Sequence, residues 1–259
     1  MVNKMTISEI FQHPTVKQVI FQIKFPNLFY LENKIGEYQL KIMKDFPQSA
    51  LLNRRHIVLA NLGPEENLQD IKKDIQADGE GGLGSKIWQF TSEKGVKLNV
   101  LSNALDLTSV YHKTYNLEGA EKFRDAIQSA VNHFFTLVQI PIISRIGLRY
   151  VDECPVPSKT NKSFLSHYNT TFPLNRFDIR KADNMQFMTV VKMEKYNFRY
   201  VETLVKDEDK YKLVLDFDAF AINIDPNDYL SVTDYLHEII SNEYEKTIKE
   251  PIYKLMRKK

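Results

Sequence analysis

The stretch SRIGLRYVD, Ser144 to Asp152, predicts a strong β-strand with two unlike faces. Alternation places Ile146, Leu148 and Tyr150 on one face and the two arginines on the other. A period of two is typical of a strand that buries one side against a core. The fold is therefore expected to contain a sheet with an apolar face and a charged face.

A second stretch, LVLDFDAF, supplies natural partners for those arginines, because Asp216 and Asp218 share one face of their strand. Two interpretations of Arg145 and Arg149 follow. In the first, they form ion pairs with the aspartates inside the sheet, since long charged side chains in sheets are usually paired or solvated. In the second, they flank Gly147 as a bidentate clamp for an anion. We favour the ion pairs.

The rest of the sequence divides into two halves in which the predicted strands and helices follow a similar order. The first half has a strand, a helix, further strands and a helix that we expect to begin at Asn116, which is a suitable N-cap. The second half repeats that order. The predicted elements are strands at 19–25, 54–62, 86–91, 96–101, 142–151, 185–193, 196–205 and 211–224, and helices at 28–42, from 116, at 164–168 and from 231.

This order predicts an α+β fold with largely antiparallel sheets and helices packed on one side. Each half is expected to follow the order β-α-β-β-β-α. We treat residues 1–259 as one domain, with the alternative of two intimately packed halves, 1–139 and 140–259.

The composition excludes several classes of protein. The 35 basic and 33 acidic residues give a formal charge of +2, which provides no overall attraction to nucleic acid or anionic lipid. The single cysteine, Cys154, excludes an intrachain disulfide and a cysteine-based metal cluster. The apolar run at 134–143 is too short to span a bilayer, and the first residues lack a secretory pattern. We expect a cytoplasmic protein without a membrane segment.

The glycine-rich stretch DGEGGLGSK, Asp78 to Lys86, resembles a phosphate-binding loop. Such a loop needs a strand before it and a helix after it, whereas here a polar segment precedes and a strand-like segment follows. Lys86 also follows Ser85, which reverses the order of the phosphate-loop motif. We expect a loop that is indifferent to nucleotides.

No catalytic or metal-binding motif is present in the sequence. His237 and Glu238 begin a zinc motif, but Ser241 stands where its second histidine is needed. Asp216 and Asp218 have no third carboxylate at the spacing expected of a magnesium site. We therefore predict no metal and no cofactor, and we assign no catalytic residue.

Four stretches, QVIFQIKF, IWQFTSEKGVKLNV, RIGLRYVDECPVP and LVLDFDAF, resemble a sporadically distributed family of uncharacterised bacterial and archaeal proteins. A helix with the sequence YLHEIISNEYEKTIKEP completes the likeness. The family often has Asn where this chain has Asp152, and Phe near the position of Tyr244. The resemblance implies an α+β protein encoded near mobile-element or defence genes, and it implies no catalytic residues.

Three functions are therefore compatible with the sequence. The first is a non-enzymatic accessory protein that binds a protein partner. The second is a nucleic-acid or nucleotide-binding protein, for which Arg145, Arg149, Arg54 and Arg55 are the candidate anion-binding or partner-binding residues. The third is an enzyme of unrecognised type. The sequence leaves the oligomeric state open.

Overall fold

The computed structural model describes residues 9–53, 86–207 and 210–258. These residues form an α+β protein in which a nine-stranded antiparallel sheet is combined with five α-helices, as the sequence predicts. The strands are β1 (Val16–Lys24), β2 (Gln48–Asn53), β3 (Lys86–Thr91), β4 (Lys97–Leu101), β5 (Ala104–Ser109), β6 (Ile143–Pro155), β7 (Asn184–Met193), β8 (Tyr196–Asp207) and β9 (Lys210–Ile224). The helices are α1 (Leu31–Ile42), α2 (Phe123–Phe135), α3 (Asn161–His167), α4 (Tyr229–Thr247) and α5 (Glu250–Arg257).

The order of the strands is symmetric about the central pair β1–β6. The strand order across the sheet is β2-β3-β4-β5-β1-β6-β9-β8-β7. The series β1-β5-β4-β3 and β6-β9-β8-β7 therefore extend outward from the centre in matching order. In the central pair, Phe21 lies opposite Leu148. One sheet therefore runs through both halves of the chain, and each half contributes the strands on its own side of the centre.

The helices pack on the face of the sheet that carries Phe21 and Leu148, both fully buried. On α1, the Tyr38 ring lies 6.0 Å from the ring of Phe90 and 5.5 Å from that of Phe134 on α2. On α4, Tyr244 meets Phe217 of β9 with ring centroids 6.1 Å apart. The strand register places the contacted residues on one face, so the prediction of helices on one side is confirmed.

The structure departs from the predicted elements at one helix and two strands. Helix α2 begins at Phe123 instead of Asn116, because Gly119 adopts a left-handed φ of 82° that interrupts a right-handed helix. Strands β2 and β5 were not predicted; β2 pairs with β3, and β5 follows β4 after only two residues and pairs with both β4 and β1. The strand expected at 54–62 lies outside the described residues.

The opposite face of the sheet, here termed the polar face, carries Gln22, Arg145, Gly147, Arg149, Asp216 and Asp218. Its side chains alternate with the core residues along the same strands. Within the described ranges, no helix is long and apolar enough to cross a membrane.

Candidate functional site

The arginines on the polar face contact the aspartates of the neighbouring strand. Arg149 donates from Nε and Nη2 to the two carboxylate oxygens of Asp216, each at 2.7 Å. Arg145 donates from Nη2 to both oxygens of Asp218 at 3.2 and 3.1 Å. A third arginine, Arg199 of β8, reaches Asp216 at 3.4 Å. Positive and negative side chains therefore alternate across β6, β9 and β8.

Gly147 lets Arg145 lie flat against the sheet. A Cβ at this position would come within 2.6 Å of Arg145 Nη1, so any larger residue would displace the guanidinium. The guanidinium carbon of Arg145 lies 4.6 Å from the centre of the Phe220 ring, where a cation–π contact adds to the ion pair. The missing side chain thus makes room for an intramolecular contact.

Further hydrogen bonds between side chains cross the polar face. Gln89 donates to Asn99 at 2.9 Å, and Asn99 donates to Asp106 at 2.8 Å. Arg145 Nη1 also donates to Gln22 at 3.4 Å. These contacts bind the strands to one another and engage the groups that an external anion would need.

We expect Arg149→Gln to lower the free energy of unfolding by about 1–2 kcal/mol. The Arg149 side chain is 40% exposed while that of Asp216 is only 12% exposed, so solvent screens the pair in part. Arg199 remains beside Asp216 and limits the loss. The measurement is urea denaturation.

The double variant Arg149→Gln/Asp216→Asn tests whether the two residues act as a pair. We expect it to recover much of the single-variant loss, because the stranded carboxylate is removed with its partner. The matched control is Lys34→Gln, which breaks an exposed pair with Glu37 and should change stability by less than about 0.5 kcal/mol. Strictly additive losses at 149 and 216 would contradict the pairing.

The other sequence-based candidates contribute little to this face. Arg54, Arg55 and the glycine-rich stretch at 78–85 lie outside the described residues. Lys86, the last residue of that stretch, begins β3 and forms an ion pair with Glu32. The described part of the chain contains no group of three His, Cys, Asp or Glu side chains that could hold a metal ion.

A cavity of about 440 Å³ lies on the helical side of the sheet. It is bounded by the segment at 9–16, the segment at 113–117 between β5 and α2, the inner face of β6, and helices α4 and α5. Its walls combine aromatic and aliphatic side chains with a small set of polar groups, which is the composition of a small-molecule site.

Asp152 is the most unusual group at this cavity, because it is an acid on the core face of β6. It is 4% exposed and accepts a hydrogen bond from Thr15 Oγ1 at 2.7 Å. Thr15 Oγ1 in turn lies 2.5 Å from the hydroxyl of Tyr244. Burial raises the pKa of Asp152 to about 7, although the Thr15 hydrogen bond and the charge of Lys113 oppose the rise. The carboxyl group therefore changes charge near neutral pH.

Tyr150 lies two residues before Asp152 and also lines the cavity. Its side chain is 9% exposed, and its buried hydroxyl has no hydrogen-bond partner among the residues that the structure describes. Burial raises the pKa of this hydroxyl, so it remains a neutral donor. An unpaired buried hydroxyl is unfavourable by about 1–3 kcal/mol and is rare in a folded protein.

The wall formed by α4 is aromatic and well connected. The ring of His237 stacks on that of Tyr115 with centroids 4.2 Å apart, and its Nε2 lies 3.2 Å from Ser241 Oγ. Burial lowers the pKa of His237 to about 4, so the imidazole is neutral at pH 7. Asp234 accepts from Tyr115 at 2.7 Å and from both Nε and Nη2 of Arg124 at 2.8 and 2.9 Å.

Sequence reasoning placed Tyr150 on the core face of its strand but missed the cavity. The signal that was available is the position of Asp152, because the same alternation assigns this acid to the apolar face. No pattern in the sequence brings Thr15, Tyr115 and His237 together, since these residues belong to separate parts of the chain.

Comparison with protein-family models, curated proteins and solved structures finds no match to this chain. The family resemblance drawn from sequence, and the genomic link that it implies, therefore remain predictions.

Proposed function

We propose that this protein binds a small organic molecule in the cavity between β6 and α4. The observation that carries the proposal is the pair of polar groups at the cavity, the buried Asp152 carboxyl and the Tyr150 hydroxyl. Buried polar groups are normally satisfied within the fold. A ligand that enters the cavity can donate to the Asp152 carboxyl, and it can reach the Tyr150 hydroxyl, which has less than 1 Å² of accessible surface, once neighbouring side chains shift.

The dimensions and lining of the cavity support the proposal. A volume of about 440 Å³ lies within the range of sites that enclose small ligands. Ile10, Phe11, Leu117 and Ile240 provide apolar walls, and the polar groups are few and lie at defined positions. Such an arrangement combines apolar burial with directional recognition.

The test is a screen of a fragment library by thermal shift, followed by crystallography of the complexes. We expect fragments that raise the melting temperature and occupy the cavity in the wild-type protein. Ser241→Trp should abolish these shifts, because Ser241 lines the cavity and a Trp side chain fills it.

The matched control is Ser231→Trp on the same helix, since Ser231 is exposed and does not line the cavity. Every fragment that binds the wild-type protein should also bind this variant. Fragments that bind Ser241→Trp as well as wild type, or a screen without any cavity binder, would refute the proposal.

A second candidate, binding of a protein partner, is favoured by the edge strand β7. This strand lies at the end of the sheet and pairs only with β8 among the described strands. Met188 and Val190 are about 60% exposed on it, and Lys192 is its one charged residue. Natural edge strands are usually protected by charge, proline or a bulge, so β7 is suited to accept a partner strand.

The corresponding experiment is a comparative pull-down from the native host with wild type, Met188→Lys/Val190→Lys and, as control, Lys34→Gln. A protein retained by wild type and control but lost from the β7 variant supports this candidate. Identical sets from all three count against it. Binding of nucleic acid through Arg145 and Arg149 has less support, because both guanidiniums already contact aspartates.

A further inference from the structure

We infer that the ligand of the cavity carries a positively charged nitrogen that binds Asp152, an inference that rests on the proposed small-molecule function. The chemical class is an organic amine of modest size with an apolar portion. Three features of the cavity lead to this class.

The first feature is that Asp152 forms no ion pair with any residue in the described ranges. Its carboxylate accepts a hydrogen bond from the neutral hydroxyl of Thr15. Lys113 acts on Asp152 through its charge, and its ammonium donates to the backbone oxygens of Val16 and Val110 at 3.1 and 2.8 Å. A buried carboxylate is strongly stabilised by a cation that also donates a hydrogen bond.

The second feature is the aromatic lining. Phe11, Tyr115, Tyr150 and Tyr244 all contribute to the cavity wall, and His237 stacks on one of them as a neutral ring. The faces of aromatic rings attract a cation, and they do so more strongly when water is excluded. Carboxylate and aromatic groups together form the usual environment of a bound organic ammonium.

The third feature is the charge of the remaining polar groups. Glu9 and Asp234 line the same cavity, and each is already paired, with Arg257 and Arg124 respectively. An anionic ligand would face three carboxylates, and two of the three N–H donors of Lys113 are already directed to backbone carbonyls. The electrostatics therefore favour a cation over an anion.

Three probes of similar size and shape separate the possible classes: 2-phenylethylamine, 2-phenylethanol and phenylacetate. Their dissociation constants are measured by calorimetry with the wild-type protein at pH 7.5, where the amine is charged. We expect the amine to bind at least about tenfold more tightly than the alcohol, and phenylacetate to bind more weakly than either. This comparison requires no variant of the protein.

Two variants test whether Asp152 causes the preference for the amine over the alcohol. Asp152→Asn can still accept the Thr15 hydrogen bond and should reduce the advantage of the amine over the alcohol to less than about threefold. Glu37→Gln removes an exposed carboxylate that pairs with Lys34 and does not line the cavity, and it should leave the advantage unchanged. An advantage that survives in full in Asp152→Asn would overturn the assignment to Asp152.

The outcomes separate this inference from the function on which it rests. If the alcohol or phenylacetate binds as tightly as the amine, or if none of the three binds, the inference is wrong. In either case a fragment screen with cavity binders leaves the small-molecule function intact. A screen without cavity binders removes both.

Discussion

We expect Phe134→Ala to lower the free energy of unfolding by about 3–5 kcal/mol, the largest loss for any single truncation proposed for this protein. Phe134 is fully buried on α2, with its ring centroid 5.7 Å from that of Phe25 and 5.5 Å from that of Tyr38. Truncation removes these contacts and leaves a void that the sheet and two helices cannot close. Urea denaturation monitored by circular dichroism measures the loss.

The matched control is Leu40→Ala, because Leu40 is 71% exposed on the outer side of α1. Its truncation should change stability by less than about 0.5 kcal/mol. A loss below about 1 kcal/mol for Phe134→Ala would contradict the packing of α2 against α1 and the sheet.

The second large effect is a dependence of stability on pH that originates at Asp152. Burial raises its pKa from the ordinary value of 3.8 to about 7, so the folded state binds this proton more tightly than the unfolded state. Stability at this site is therefore greatest below about pH 4, falls as the pH rises towards 7, and is constant above that. The full loss is on the order of 4 kcal/mol.

Asp152→Asn isolates this contribution, because the variant has no proton to lose. We expect the variant to gain stability relative to wild type as the pH rises from 4 to 7.5, and the difference to be constant at higher pH. Burial lowers the pKa of His237 to about 4. This residue therefore destabilises the fold as the pH falls below 6.5, which is the opposite direction to the effect of Asp152. Since it is present in both proteins, its effect cancels in the difference.

The neighbours of Asp152 define a second comparison. Burial raises the pKa of Asp152, whereas the Thr15 hydrogen bond and the charge of Lys113 lower it. Asp152 also interacts with three other ionisable groups, Tyr150, Tyr244 and Cys154. Thr15→Val removes the hydrogen bond and should therefore increase the loss of stability between pH 4 and 7. A difference between Asp152→Asn and wild type that does not vary with pH would refute the assignment.

The fold class was largely predictable because apolar and polar residues alternate along most of its central strands. The alternation in β6 and β9 identified both strands and the face that each buries, and it placed the arginines and aspartates on the polar face. The start of α2 was not predictable from capping alone. Asn116 is a good N-cap residue, but the left-handed backbone at Gly119 prevents a helix from continuing.

The candidate site was much less predictable, because it depends on contacts between distant parts of the chain. Thr15 and Asp152 are separated by 137 residues, and Tyr115 and Asp234 by 119. Local periodicity carries no information on such pairs. The sequence did contain one usable sign, a carboxylate at a position whose neighbours on the same face are Leu148 and Tyr150.

The central pair β1–β6 has a consequence for the way this protein folds. It joins residues 16–24 to residues 143–155, so Val19 meets Tyr150 only after a loop of more than a hundred residues has closed. Closure over such distances makes folding slow, since the entropy is lost before the contact is gained. During synthesis, strands β2 to β5 can pair as soon as they emerge from the ribosome. The edge of β1 that does not pair with β5 remains without a partner until β6 has been synthesised.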